Sequence, residues 1–107
     1  MDIAAIKHLI AKGDYRLTFH AEVERDADAV TAEEIEEALL SDNAEIIEDY
    51  PNDPRGPSCL ILGFTNTGAA IHIVCGVVDS GLAVIVTVYR PDPEEWVKWR
   101  IRKERIS

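Results

Sequence analysis

The sequence lacks the features that would place a chain in a membrane or outside the cell. Its two cysteines, Cys59 and Cys75, are too few and too widely spaced to indicate a disulfide framework or a zinc site. No apolar run approaches the roughly 20 residues of a membrane span. The start, MDIAAIKHLIAKGDY, lacks the basic and long apolar regions of a signal peptide. We therefore expect a cytoplasmic protein with no membrane contact and with both cysteines reduced and buried.

The sequence also lacks the common catalytic motifs. It contains no glycine-rich phosphate loop, no Ser-His-Asp pattern, no paired catalytic acids and no cluster of metal ligands. We therefore expect no metal and no other cofactor. With 107 residues, 47% of them hydrophobic, the chain is long enough to bury a core, and we expect one domain over residues 1–107.

Basic residues are scarce in the first half of the chain. Residues 1–50 hold fourteen acidic and four basic residues, whereas residues 51–107 hold six and seven, and the net charge is -9. Because acidic surfaces repel phosphates, any contact with RNA would have to use the second half. Five of its bases fall in KWRIRKER: Lys98, Arg100, Arg102, Lys103 and Arg105.

The first forty residues predict helices with recognisable ends. Asp2 can cap a helix that runs to Lys12 and stops at Gly13. A second helix is expected from about Phe19, after Thr18, although YRLTFHAEVERDADA is ambiguous. A third follows the capping box formed by Thr31 and Glu34 in VTAEEIEEALL.

The rest of the chain predicts strands in AEIIEDY, SCLILGFT, AAIHIVCGVV and LAVIVTVYR, with hairpin turns at NTG and DSG. The expected fold is α+β, with N-terminal helices packed on one face of a four-stranded antiparallel sheet. After Pro93, the spacing of Trp96 and Trp99 suggests a short helix with an outward basic end. We expect Trp96 to cover the edge of the core and the bases after it to be exposed.

Strand alternation predicts which side chains share a face. An even-length loop around Asp79–Gly81 would put His72 and Tyr89 on the same face, whereas a three-residue loop would separate them. The even loop is the commoner case, so we expect the two to be near each other. A turn centred on residues 67–68 would place Gly63 beside His72 and leave open space over the imidazole.

Histidine, tyrosine and arginine on one sheet could carry out phosphodiester chemistry. His72 could exchange a proton near neutral pH, and Arg90 could hold a phosphate in a bidentate manner. The alternative is that His72 is a satisfied core residue and that Tyr89 only packs its ring. His20 is a second candidate, oriented by Glu24 one helical turn on, or a helix-terminal histidine without a task.

Five motifs in order, LTFHA, VTAEEIEEAL, EIIEDYPNDPRGPSCLILGFT, IHIV and TVYRPDPEEWVKWRIRK, resemble a family of small uncharacterised prokaryotic domains. That family is grouped with the RelE-like and BrnT-like toxins of barnase-like fold. The resemblance implies a metal-independent ribonuclease of a toxin–antitoxin system, with RNA as its substrate. Its partner would be an antitoxin of the zinc-finger MqsA type or of the helix-turn-helix type. The alternative is a non-catalytic protein-binding module of the same fold.

Carried onto this chain, the resemblance implies catalytic roles for His20, His72 and Tyr89. Substrate-binding roles would fall on Arg25, Arg90, Trp96, Lys98 and Arg100. The helix of His20 departs from the pattern, because Glu24 and Asp28 stand where many relatives carry arginines. We therefore expect weak RNA cleavage, and we expect arginines at these two positions to strengthen it.

Overall fold

The computed structural model describes residues 1–104, which form three helices and seven strands, so Arg105 of the basic tail lies outside the described part of the chain. The helices are α1 (Ile3–Lys12), α2 (Phe19–Ala27) and α3 (Ala32–Leu40). The strands are β1 (Tyr15–Leu17), β2 (Glu45–Tyr50), β3 (Ser58–Phe64), β4 (Ala70–Val77), β5 (Ala83–Tyr89), β6 (Trp96–Val97) and β7 (Ile101–Arg102). Within residues 1–104 no helix has the length and apolarity needed to cross a bilayer.

The helices begin at the capping residues that the sequence predicts, and α1 also stops where predicted. The Asp2 carboxylate accepts from the Ala4 N–H at 2.9 Å, and Gly13 ends α1 in the left-handed conformation, with φ 79°. Thr18 caps α2. At α3, Thr31 and Glu34 form both hydrogen bonds of the capping box. Local side-chain chemistry therefore determines all three N-termini.

The main sheet has five strands in the order β1-β5-β4-β3-β2, so the prediction of four antiparallel strands is wrong. The additional strand, β1, is three residues long and pairs with β5 in parallel. Three residues are too few to show an alternating pattern, and a parallel partner 68 positions away leaves no hairpin signal.

The two faces of this sheet are covered by different parts of the chain. On one face, α1, α2 and α3 bury an aliphatic cluster that includes Ile6, Ile35, Leu39, Ile61, Ile73 and Ile85. Residues that alternate with these strand positions, among them Leu60, Leu62 and His72, are also buried, and Trp96 and Trp99 of the C-terminal segment contact His72. The cysteines, Cys59 and Cys75, lie opposite each other on β3 and β4, buried and without a disulfide, as expected. Burial raises the pKa of the Cys59 thiol to about 11 and that of Cys75 to about 12.

The C-terminal segment forms a hairpin, not the short helix predicted from the spacing of its tryptophans. Strands β6 and β7 pair around a tight turn in which Lys98 and Trp99 both have positive φ, at 50° and 66°. The Arg100 N–H donates to the Val97 carbonyl at 3.0 Å, so the turn resembles a type I′ hairpin. Trp96 is 4% exposed, and the bases at 98, 100, 102 and 103 are exposed, both as predicted.

His72 and Tyr89 are directly opposite each other on β4 and β5, which confirms that they share a face, but the reason given for it is wrong. The loop has three residues, since the Val78 N–H donates to the Leu82 carbonyl at 3.0 Å. A bulge then shifts the register between Val74 and Cys75, which pair with Thr87 and Ile85. The extra residue on β5 reverses the parity set by the loop.

Gly63 does not lie beside His72 as predicted. The register of β3 and β4 pairs Leu62 with His72 and Gly63 with Ile71, so Gly63 is on the helix face. A Cβ atom there would be 2.0 Å from the Ala38 carbonyl oxygen of α3. The glycine therefore permits close approach of a helix, and no open space remains over the imidazole.

Candidate functional site

His72 is the centre of a closed polar network on the hairpin side of the sheet. Its side chain is 0% exposed. Its Nε2 atom is 2.7 Å from the Trp99 carbonyl oxygen and its Nδ1 atom is 3.1 Å from the Tyr89 hydroxyl. Because a carbonyl can only accept, Nε2 carries the proton and the Tyr89 hydroxyl donates to Nδ1. Both ring nitrogens are therefore satisfied within the protein.

Aromatic rings surround the imidazole. The ring centroids of Trp96 and His72 are 4.5 Å apart, and those of Tyr89 and His72 are 5.2 Å apart, both in edge-to-face geometry. Burial lowers the pKa of His72 below 6.5. Burial also raises the pKa of the Tyr89 phenol to about 12. At neutral pH the pair therefore consists of a neutral imidazole and a protonated phenol.

A carboxylate–arginine network joins the hairpin to β2. The Glu48 carboxylate accepts from Arg102 Nε at 2.8 Å and Nη2 at 3.0 Å, and from the Tyr50 hydroxyl at 2.5 Å. The bidentate Arg102 holds the pKa of Glu48 below its usual value. The Arg102 guanidinium also lies 4.7 Å from the centroid of the Trp96 ring. A second arginine of the hairpin, Arg100, pairs with Glu45.

The sequence reasoning did not single out Glu48 and Tyr50, and it treated Arg102 only as an exposed base. A signal was present in EIIEDY, because residues 48 and 50 alternate onto one face of a strand. Their partner lies 54 residues from Glu48. No local spacing could have connected them.

His20 stands apart from this network. Its side chain is 65% exposed at the start of α2, and its Nε2 atom is 3.1 Å from Glu24 Oε1, as the helical spacing predicts. Among the described residues it shares no hydrogen bond or ring contact with His72 or Tyr89. The structure therefore brings together two of the three proposed catalytic residues and leaves the third on another element.

Glu24 and Asp28 have a structural role that the sequence reasoning missed. Glu24 Oε1 accepts from the Val88 N–H at 3.2 Å, and Asp28 Oδ2 accepts from the Arg90 N–H at 2.8 Å. Strand β1 ends at Leu17, so this edge of β5 has no strand partner beyond that point. The two carboxylates, one on α2 and one at its C-cap, supply acceptors to this edge in place of a strand.

The two arginines that were assigned substrate-binding roles outside the hairpin are held by the fold. Arg90 donates from Nε to the Asp28 carbonyl at 3.0 Å, and from Nη2 to the Ala29 carbonyl at 3.0 Å and to the Glu34 carboxylate at 3.2 Å. Arg25 donates to the Glu22 carboxylate at 3.0 Å and to the Val30 carbonyl at 3.3 Å. These guanidinium groups link α2, the start of α3 and the end of β5.

Of the proposed substrate-binding residues on the hairpin, Trp96 is buried against His72, Arg100 is paired with Glu45, and Lys98 is exposed. Lys98 makes no side-chain ion pair with another described residue. Within residues 1–104 no group of three or more His, Cys, Asp or Glu side chains could hold a metal ion.

Comparison with protein families gives one match. The model of a domain of unknown function, DUF4258, matches residues 17–90, which run from the end of β1 to the residue after β5. The match leaves out α1 and the C-terminal hairpin that covers His72. No curated protein and no solved structure matches the chain.

Proposed function

Since the chain belongs to DUF4258, a family of domains of unknown function, no reaction follows from its family, and we propose that it is a cytoplasmic, non-catalytic protein-binding module. One observation carries this proposal: His72 is completely buried and both of its ring nitrogens are occupied. A general acid or base must come within hydrogen-bond reach of a substrate proton. His72 reaches only Tyr89 and the Trp99 carbonyl.

The charges around the candidate site support the same proposal. Arg25 and Arg90 are engaged with carboxylates and carbonyls of their own chain. Arg100 and Arg102 of the hairpin pair with Glu45 and Glu48. A phosphodiester substrate would have to displace these partners, and it would meet a protein with a net charge of -9.

The surface offered to a partner lies on α2. Phe19 is 84% exposed and Val23 is 53% exposed, and their spacing of four residues places them side by side on the helix. Acidic residues of the same helix, Glu22 and Asp26, are exposed next to them. An apolar pair within an acidic surface fits a partner with an apolar pocket and a basic rim. A DNA-binding antitoxin of the zinc-finger or helix-turn-helix type has the required charge.

The test is co-expression with the product of the adjacent gene, followed by size-exclusion chromatography. The wild type should elute as a complex. The double substitution Phe19→Ser, Val23→Ser should abolish that complex. Ile101→Ser, which changes an equally apolar and 66% exposed side chain on β7, should leave it intact. Complex formation that survives the double substitution would exclude α2 as the docking surface.

A second candidate is the metal-independent ribonuclease of a toxin–antitoxin system. It is favoured by the exposed His20 imidazole and its partner Glu24 at 3.1 Å, which together could serve as a solvent-facing proton carrier. If this candidate is correct, induced expression should slow bacterial growth. The substitutions His20→Ala, His72→Ala and Tyr89→Phe should then relieve that effect without unfolding the protein.

Purified protein incubated with a mixed RNA pool and a metal chelator separates the two candidates. Cleavage by the wild type that is lost in the His20→Ala variant would establish the ribonuclease. An intact RNA pool at micromolar protein would leave the binding module.

A further inference from the structure

The C-terminal hairpin contains a cavity that the proposed function does not use. Its volume is about 390 Å³, within the usual range for small-molecule sites. It is lined by Pro93, Trp96, Val97, Lys98, Trp99 and Lys103. These residues follow position 90, so the cavity lies outside the part of the chain that the family model matches.

The charged side chains that line the cavity are both basic. Lys98 and Lys103 are its two charged lining residues, and no acidic side chain lines it. Neither ammonium group makes a hydrogen bond or an ion pair with another described side chain, in contrast to Arg100 and Arg102. Two ammonium groups that lack a partner among the described side chains, on one small cavity, are suited to an anion.

A neighbouring cavity limits how much negative charge the site can take. Lys103 also lines that second cavity, together with Glu94, Glu95 and Glu104. A ligand with several phosphates would extend toward these carboxylates and be repelled. The charge pattern therefore favours a single phosphate group.

Two indole rings line the same cavity. Trp96 is nearly buried against His72, whereas Trp99 is half-buried at the turn. The left-handed conformation of Lys98 and Trp99 and the bond from Arg100 N–H to the Val97 carbonyl define the turn that carries these side chains. Indole faces stack on planar rings, and every nucleobase has such a face.

We propose that this cavity binds a nucleoside monophosphate unit, with the base against the half-buried Trp99 ring and the phosphate between Lys98 and Lys103. The unit is a free nucleotide, because a strand would bring further phosphates toward the carboxylates of the neighbouring cavity. The proposed ligand contacts do not include His72, Tyr89 or the α2 surface, so ligand binding is tested separately from the protein-binding function.

The chain reports on this site through its own fluorescence, since both of its tryptophans line the cavity. Titration of the full chain with AMP should quench the tryptophan emission in a saturable way, and adenosine should bind at least about tenfold more weakly. A six-nucleotide RNA with a 5′ phosphate is the third ligand. This RNA should bind more weakly than AMP, because its additional phosphates meet the carboxylates of the neighbouring cavity, and RNA binding about tenfold tighter than AMP would overturn the assignment to a free nucleotide.

Three variants test the lining residues. Lys98→Asn removes the charge and suits the left-handed conformation of the turn, and Lys103→Gln removes the second charge. Each should weaken AMP binding by about threefold or more. Lys12→Gln, at the exposed end of α1, is the matched control and should bind as the wild type does.

The proposal is overturned by any of three results. The first is the absence of saturable quenching up to about 10 mM AMP. The second is unchanged affinity in both the Lys98→Asn and Lys103→Gln variants. The third is equal binding of adenosine and AMP, which would show that the phosphate is not recognised.

Discussion

Removing the Asp28 carboxylate should destabilise the protein without changing any side chain of its hydrophobic core. In the Asp28→Ala variant, the Arg90 N–H loses its acceptor at 2.8 Å on an edge of β5 that has no strand partner. The side chain of Arg90 would keep its bonds to the carbonyls of residues 28 and 29 and to Glu34. The variant therefore isolates one hydrogen bond between a carboxylate and a backbone N–H.

The expected magnitude follows from the charge of the acceptor. A hydrogen bond to a charged group contributes about 1.5–3 kcal/mol. The lower half of that range applies here, because Arg90 is only half-buried and water can reach the freed N–H. For a domain of this size, 1 kcal/mol shifts the melting temperature by about 4 °C, so we expect a decrease of about 6–8 °C.

Urea denaturation followed by circular dichroism measures the change in the free energy of unfolding. Asp28→Asn retains an oxygen acceptor and should lose less than Asp28→Ala. Asp26→Ala, an exposed site on the same helix with no side-chain hydrogen bond to another described residue, should be close to the wild type. Equal stability of the Asp26→Ala and Asp28→Ala variants would refute the edge-capping role.

The same reasoning reverses one expectation from the sequence. Glu24→Arg together with Asp28→Arg was expected to strengthen RNA cleavage by attracting phosphate. Because both carboxylates accept from the β5 backbone, the double substitution should instead lower stability by more than Asp28→Ala does. A doubly substituted protein that is as stable as the wild type and cleaves RNA faster would contradict this account.

Three further outcomes are expected. Burial lowers the pKa of His72, so below about pH 6.5, the ordinary pKa of histidine, the unfolded chain binds more protons than the folded one and stability should fall as the pH decreases. A His72→Gln variant should lose this slope in urea titrations. Gly63→Ala places a Cβ 2.0 Å from the Ala38 carbonyl oxygen and should lower the free energy of unfolding by more than about 4 kcal/mol. The native circular dichroism spectrum should then be lost, and a variant as stable as the wild type would disprove the close approach of the helix. Trp96→Ala should lower the free energy of unfolding by about 3–5 kcal/mol, measured in denaturant titrations. A change near zero would mean that the indole is not part of the packed interior.

The sequence alone determined the parts of the fold that depend on neighbouring residues. Thr18 caps α2 and Thr31 begins the capping box of α3 where their spacing predicts, because each satisfies N–H groups within one turn. The four longer strands follow from their alternation and turn residues. The contact between His20 and Glu24 follows from helical spacing in the same way.

Tertiary structure decided the identity and the accessibility of the candidate site. The predicted pairing of His72 with Tyr89 was correct only because a bulge on β5 compensates for a three-residue loop, and neither feature has a clear local signal. The accessibility of His72 depends on a hairpin that begins 24 residues later along the chain. The roles of Glu24 and Asp28 depend on a strand more than 60 residues away. Contacts at such separations depend on how the whole chain packs. Spacing along the sequence does not predict them, because the free energy of closing a loop changes only slowly with its length.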